Sequence, residues 1–201
     1  MLPMRVYIID DDAAVRDSLA LLLRLHGFDT VCFAGAEAFL DEVSSEWSGI
    51  VLVDLRMPGM SGLELQAELQ ARQIELPVIV ITAHGETSAA RTSFKSGAVD
   101  FLEKPIDRDQ LLAAIREAVK LESERVRRTG RTAEMLRQLA RLTPREREIL
   151  DRVVAGKHNR EIASELDISV RTVEVHKARV MAKMGVERIA DLVRVVLSGK
   201  G

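Results

Sequence analysis

The chain is poor in the residues from which several kinds of site are built. Of its 201 residues only Cys32 is a cysteine. That excludes an internal disulfide framework and a cysteine-built zinc site, and it fits a reducing compartment. Apolar runs are short and broken by charge, so none approaches the roughly 20 apolar residues of a membrane helix. The opening MLPMRVYIIDDD meets its acids too early for a secretion signal. A cytoplasmic setting with no membrane partner is therefore expected. No glycine-rich fingerprint follows the first apolar run. Where G-x-G-x-x-G would sit stand Asp10, Asp11 and Asp12, three carboxylates that would repel a pyrophosphate.

Net charge is nearly absent as well, at −2, but that total hides a split. Residues 1–120 carry 11 Lys+Arg against 19 Asp+Glu, or −8, and residues 121–201 carry 18 against 12, or +6. Such asymmetry points to an acidic domain joined to a nucleic-acid-binding one. The 47% hydrophobic content supports real cores and argues against a disordered chain.

In the acidic half, Arg5–Asp10, Ile50–Asp54 and Val78–Thr82 are apolar runs of strand length, with weaker candidates at Thr30–Phe33 and Val99–Leu102. Between them Val15, Leu19, Leu22 and Leu23 recur at helical spacing, as do Leu63, Leu65 and Leu69, then Leu111, Leu112, Ile115 and Val119. Continuous strands alternating with amphipathic helices predict a parallel sheet covered on both faces, here five strands and five helices. Ser61–Glu64 and Asp107–Gln110 fit capping boxes, and Gly97 fits the end of a helix.

Ligands of open α/β sheets gather at the carboxyl ends of the strands. There the sequence puts Asp10 and Asp11 after strand one, Asp54 after strand three, Thr82 after strand four, and Lys104 with Pro105 after strand five. Clustered carboxylates call for a cation. Their oxygens suit Mg²⁺, and a carboxylate beside a cation and a lysine can act as a nucleophile toward phosphorus. His84 lacks partners at metal-ligand spacing and is given no role.

The string Asp54-Leu-Arg-Met-Pro-Gly-Met-Ser-Gly62, with Asp10-Asp11, Thr82-Ala83 and Lys104-Pro105 in order, resembles the phosphoacceptor pattern of response-regulator receiver domains. The resemblance implies a flavodoxin-like, doubly wound fold and makes Asp54 the phosphoacceptor. It implies Mg²⁺ (or Mn²⁺) held by Asp10, Asp11, Asp54 and the Arg56 carbonyl. It implies that Lys104 pairs with the phosphate, that Thr82 is the switch hydroxyl, and that Phe101 is the switch aromatic. Phe101 lacks the hydroxyl of the tyrosine many relatives carry there, so it would move by packing. The family also implies a cis peptide before Pro105.

Residues 121–141 are charged, with an apolar minority and Gly130 as the expected hinge. The last helix of the acidic half is expected to run into this stretch. Three regions follow: 1–120, a linker over 121–141, and 142–201. In the last, Thr143-Pro144-Arg145-Glu146 combines an N-cap, an early proline and a capping-box acid. A helix from there should reach Val154 and stop at Gly156. Asn159 should cap a second helix through Leu166, Ser169 a third to Met184, and a fourth should span about Ile189 to Leu197. The second and third read as helix-turn-helix.

On the third helix Val173, Val180 and Met184 form one stripe, and Arg171, Val175, Ala178 and Ala182 lie opposite. Thr172, Glu174 and Arg179 flank that outer face. A face short-chained at its centre suits close approach to a major groove. There a glutamate can accept from cytosine N4, and small apolar groups can meet thymine methyls. Arginine and lysine flanks can hold phosphates.

Leu142–Leu150, Asn159-Arg-Glu-Ile-Ala163 and Arg171-Thr-Val-Glu-Val-His176 resemble the LuxR-type helix-turn-helix, and the whole chain resembles the FixJ subfamily of response regulators. The resemblance puts Thr172, Glu174, Val175 and Ala178 at or near base edges. It makes Lys177, Arg179 and Lys183 phosphate contacts or supports. It implies a sensor histidine kinase as donor, a homodimer on phosphorylation, promoter DNA and RNA polymerase as partners, and no turnover of an external substrate. Two rivals stand beside it. A phosphohydrolase of the haloacid-dehalogenase type needs a second acid two residues after the nucleophile, where this chain has Arg56. A receiver with a protein-binding output would use the basic helices for a partner protein.

Overall fold

The structure, a computed structural model, describes residues 4–83 and 97–198. The chain divides into two compact units, Met1–Val126 and Arg127–Gly201.

The first unit runs β1 (Arg5–Ile9), α1 (Ala13–Leu25), β2 (Asp29–Phe33), α2 (Ala36–Glu42), β3 (Ile50–Asp54), α3 (Gly62–Ala71), β4 (Val78–Thr82), β5 (Asp100–Glu103), then into α4 (Arg108–Ala140). Its five strands are all parallel, in the order β2-β1-β3-β4-β5. The helix expected to end before Gly97, and His84 with it, lie outside the described residues. Gly97 itself has φ +83°, the left-handed backbone of a C-terminal cap.

Successive residues of a strand point to opposite faces, and here both faces are core. Val6 and Ile8, Ile50 and Leu52, and Ile79 and Ile81 pack with Leu19 and Leu23 of α1 and Leu111 and Ile115 of α4. Tyr7 and Ile9, Val51 and Val53, and Val78 and Val80 pack with Phe39 of α2 and Leu65 and Leu69 of α3. That is why these strands read as unbroken apolar runs. The predicted box at Ser61–Glu64 is present in both directions, and Asp107 accepts from the Gln110 amide at 2.9 Å.

The charged stretch 121–141 is divided between the units. Glu122 is fully buried and accepts from the Gly49 amide at 3.0 Å and from Arg125 Nε at 2.7 Å. Arg125 also donates to the Trp47 carbonyl at 2.9 Å. These bonds tie the α4 turn before the boundary to the loop leading into β3. Tyr7 stacks on Trp47, ring centroids 4.8 Å apart. Gly49 has φ +147°, and a Cβ there would stand 2.7 Å from the Arg5 carbonyl, so only glycine fits. Beyond the boundary Met135 and Leu139 join the second core. α4 is helical through Gly130, so the expected hinge is a regular turn of helix, with open space beside it.

The second unit adds α5 (Pro144–Val154), α6 (Asn159–Glu165), α7 (Val170–Lys183) and α8 (Ile189–Ser198). Their apolar stripes meet in one core of Ile149, Leu150, Ile162, Val173, Val180 and Leu192. Gly156 and Gly185 follow α5 and α7 with φ of +79° and +64°, the positive values that glycine favours where a helix stops. One cap differs from expectation. His158, not Asn159, is the N-cap of α6, with extended backbone and its amide donating to Glu161 at 2.6 Å. Asn159 is already helical, and its side-chain oxygen is taken by Lys177 at 2.7 Å. No helix among the described residues is long and apolar enough to cross a membrane.

Candidate functional site

Strand register assembles the acid pocket. Ile9 pairs with Val53, so Asp10 and Asp54 leave neighbouring strands side by side. Asp54 pairs with Ile81 and Thr82 with Glu103. Thr82 therefore lies between Asp54 and Lys104, whose amide donates to the Thr82 carbonyl at 2.7 Å. Asp10, Asp54 and Thr82 are 1%, 6% and 1% exposed, deep enough to lose most of their water. The Lys104 ammonium bridges the two acids, 2.5 Å from Asp54 Oδ1 and 3.1 Å from Asp10 Oδ2. The remaining oxygens are held by backbone: Arg56 N–H donates to Asp54 Oδ2 at 2.9 Å, and Asp12 N–H to Asp10 Oδ1 at 2.8 Å.

Burial pushes the Asp54 carboxyl up from its ordinary value, against the lowering effect of Lys104 and the Arg56 amide. Lys104 moves up too. Burial opposes its charge, but the hydrogen bonds and charges of Asp54 and Asp10 outweigh burial. Among the described residues these two buried carboxylates thus share the Lys104 ammonium, and burial opposes the ionisation of Asp54.

Backbone fit fixes where Asp54 stands. A Cβ on Gly62 would come within 2.6 Å of the Asp54 carbonyl oxygen, so the α3 N-terminus can close on Asp54 only because Gly62 has no side chain. Ser61 caps α3 next door, and Glu37 accepts from the Met60 amide at 2.8 Å. The loop that carries Arg56 is therefore pinned at both ends. Phe101 is half-buried and packs at the edge of the Tyr7–Phe39 core. The Lys104–Pro105 peptide is cis.

The pocket's donors are all oxygen, which suits a hard cation and not a soft one. Asp11 and Arg56 are exposed at its rim. Among the described residues no group of three or more His, Cys, Asp or Glu side chains is placed to hold a metal ion.

On the second unit α7 shows the expected faces. Val173, Val180 and Met184 are buried, while Arg171, Glu174, Val175, Ala178 and Arg179 are exposed and Thr172 is half-exposed. Ser169 caps the helix, accepting from the Thr172 amide at 3.0 Å. Two predicted contact residues are already engaged. Lys177 donates to Asn159, which joins α6 to α7. Lys183 donates to Glu146 at 2.6 Å and to the Arg141 carbonyl at 3.1 Å, so it braces the module from inside, a support rather than a presented phosphate contact.

Sequence reasoning missed several polar ties. Arg16 donates to the Asp10 carbonyl at 2.6 Å, and Asp12 caps α1 through the Ala14 amide. Glu146 is buried, and Lys183 together with Thr143 holds its carboxyl down at about 2. For Glu146 the signal was its place in the predicted capping box. For Glu122 and Arg125 there was none, because a buried pair three residues apart looks like a solvated helix face.

The family model described as response regulator receiver domain matches residues 6–116. The one described as bacterial regulatory proteins, luxR family, matches residues 140–196. The chain is 42% identical over 192 residues to the transcriptional regulatory protein FixJ of Bradyrhizobium diazoefficiens, covering 96% of this chain and 94% of that protein. It is 42% identical to the response regulator protein TodT of Pseudomonas putida, covering 94% and 84%. Among solved structures it resembles the response regulator StyR with a TM-score of 0.86 at 38% identity, covering 97% of this chain and 98% of that one. It resembles full-length FixJ from B. japonicum with a TM-score of 0.61 at 40% identity, covering 100% and 98%.

Proposed function

The chain belongs to the response regulators that join a receiver domain to a luxR-type DNA-binding domain, and from that premise we propose that phosphorylation of Asp54 switches its binding to promoter DNA. The observation that carries this reading is the Lys104 ammonium lying on both Asp10 and Asp54 at the strand ends.

A sensor histidine kinase presents a phosphohistidine. An Asp54 oxygen attacks phosphorus, the P–N bond breaks, and the histidine nitrogen leaves with its electron pair. Asp10, Asp11, Asp54 and the Arg56 carbonyl would hold Mg²⁺ (or Mn²⁺), which when bound would offset the negative charge of the phosphoryl oxygens. Lys104 moves from the Asp54 carboxylate to a phosphoryl oxygen, staying close to Asp10. The Thr82 hydroxyl turns to the same group, and Phe101 repacks at the sheet edge. This biases a two-state surface through which two copies associate. Such a dimer offers two α7 helices to half-sites about one DNA turn apart. The DNA target places the protein in the cytoplasm, with RNA polymerase as the downstream partner.

The chain acts on itself and turns over no external substrate. Arg56, two residues beyond Asp54, cannot serve as the acid that a phosphohydrolase of the haloacid-dehalogenase type requires there.

Incubation with acetyl phosphate and Mg²⁺ should add one phosphoryl group, double the mass in solution and tighten DNA binding. Asp54→Ala should lose all three effects. Phosphate-stimulated dimerisation that survived Asp54→Ala would overturn the switch, and sustained release of phosphate from simple esters would restore the enzyme reading.

A further inference from the structure

Glu174 is the one acid on α7. It sits in the second turn on the outer face, between exposed Arg171 one turn before and exposed Ala178 one turn after. Glu146, Glu148, Glu161 and Glu165 of the same unit are held by lysine, arginine or backbone amides. The Glu174 side chain makes no hydrogen bond or ion pair among the described residues. Arg171 is within reach by helical spacing, yet the two form no ion pair.

A carboxylate on a helix face brought against DNA meets phosphate repulsion. It is tolerated there only where a donor meets it. In the major groove guanine offers two acceptors and thymine an acceptor and a methyl group. Adenine sets its amino group beside the N7 acceptor. Cytosine alone offers an amino donor with no acceptor of its own beside it. Val175, 44% exposed beside Glu174, and the small Ala178 let the backbone come close enough for so short a side chain to reach.

We propose that Glu174 specifies a cytosine in each half-site of the DNA bound by α7. The assignment rests on the reading of α7 as the DNA-facing helix and adds the base that it reads.

The test is selection of binding sites from randomised duplexes by the full chain treated with acetyl phosphate. It compares the wild type with Glu174→Ala and Glu174→Gln. These are solvent-facing changes that leave the Val173–Val180 core intact. The wild type should enrich cytosine at one symmetric position per half-site, about 5- to 20-fold over the other bases. Glu174→Ala should lose that preference and keep the others. Glu174→Gln should move it toward adenine, whose N6 and N7 match an amide. The salt dependence of binding should stay the same in all three, because no phosphate contact is removed. If Glu174→Ala selected the wild-type sequence with the same discrimination, the assignment would be wrong. It would equally be wrong if that variant weakened binding to every sequence alike, which would make Glu174 a support for Arg171. A wild type that enriches no sequence at all overturns the DNA reading and this assignment together.

Discussion

Asp54 and Glu146 are both carboxylates with almost no exposed surface, 6% and 3%, and the two units treat them in opposite ways. Asp54 shares its one cation with Asp10, and burial lifts its carboxyl. Glu146 has Lys183 to itself, with the Thr143 amide and hydroxyl beside it, and its carboxyl is held down at about 2. The difference separates an acid with a shared counter-charge from an acid used as a fastener. An under-compensated carboxylate retains a reason to acquire a new partner. A saturated one holds two helices together and has no further chemistry. Burial alone therefore does not mark a functional acid, and the ratio of charges around it does.

The sharpest way to break this contrast is to remove a fastener. Glu122 belongs to that class, with the Gly49 amide and Arg125 both upon it. Glu122→Ala strands Arg125 and the Gly49 amide, and should cost the first unit about 3 kcal/mol. Urea unfolding followed by the fluorescence of Trp47 reads this directly, because that indole stacks on Tyr7 at the same place.

A smaller effect is expected at Glu146. Glu146→Ala should cost the second unit about 2 kcal/mol, the scale of hydrogen bonds to a charged group. The pH dependence gives a cleaner readout. The folded carboxyl sits at about 2 against an ordinary 4.5. Its contribution is therefore present above about pH 4.5 and is lost as pH falls toward 2. Thermal melts of the second unit should show acid destabilisation in that window, and Glu146→Gln should flatten it. A melt equally acid-sensitive in the variant would remove Glu146 from the fasteners.

The smallest effect has the opposite sign. Asp54→Asn removes a buried charge that burial disfavours and leaves Asp10 with Lys104 to itself. The first unit should gain about 1 kcal/mol at neutral pH, as sites poised for reaction often do when disarmed. Because the Asp54 carboxyl is raised, its ionisation weakens the fold as pH rises through its folded value. The gain should therefore fade at low pH, where Asp54 is protonated. Loss of stability in Asp54→Asn at neutral pH would contradict the contrast between the two acids.

The acid pocket was readable in advance because its parts stand at strand ends, and strand ends are set by apolar runs. Asp10, Asp54, Thr82 and Lys104 each follow a run whose length and chemistry are plain. Thr143 and Ser61 were readable because a cap and its return acid are three residues apart. Asn159 misled because the rule for caps concerns one helix, whereas its amide serves Lys177 on the next. For Lys183 the residues left a phosphate contact and a support both open, and packing shows it donating to Glu146. Glu122 and Arg125 were invisible because what buries them is the loop at Trp47, 75 residues earlier and without any local signal. Contacts within one element are written in local order. Contacts between distant polar side chains are not.

The central strands feed one apolar residue to each core in turn. A single-residue insertion in β3 would do more than displace Asp54. It would turn the β3 residues on one side of the insertion toward the opposite core and weaken the fold that holds the acid in place. The position of Asp54 is thus inherited along with the fold. A lineage can drift in its helices, its surface and its target sequence, yet a descendant that keeps this strand register keeps position 54 beside position 10.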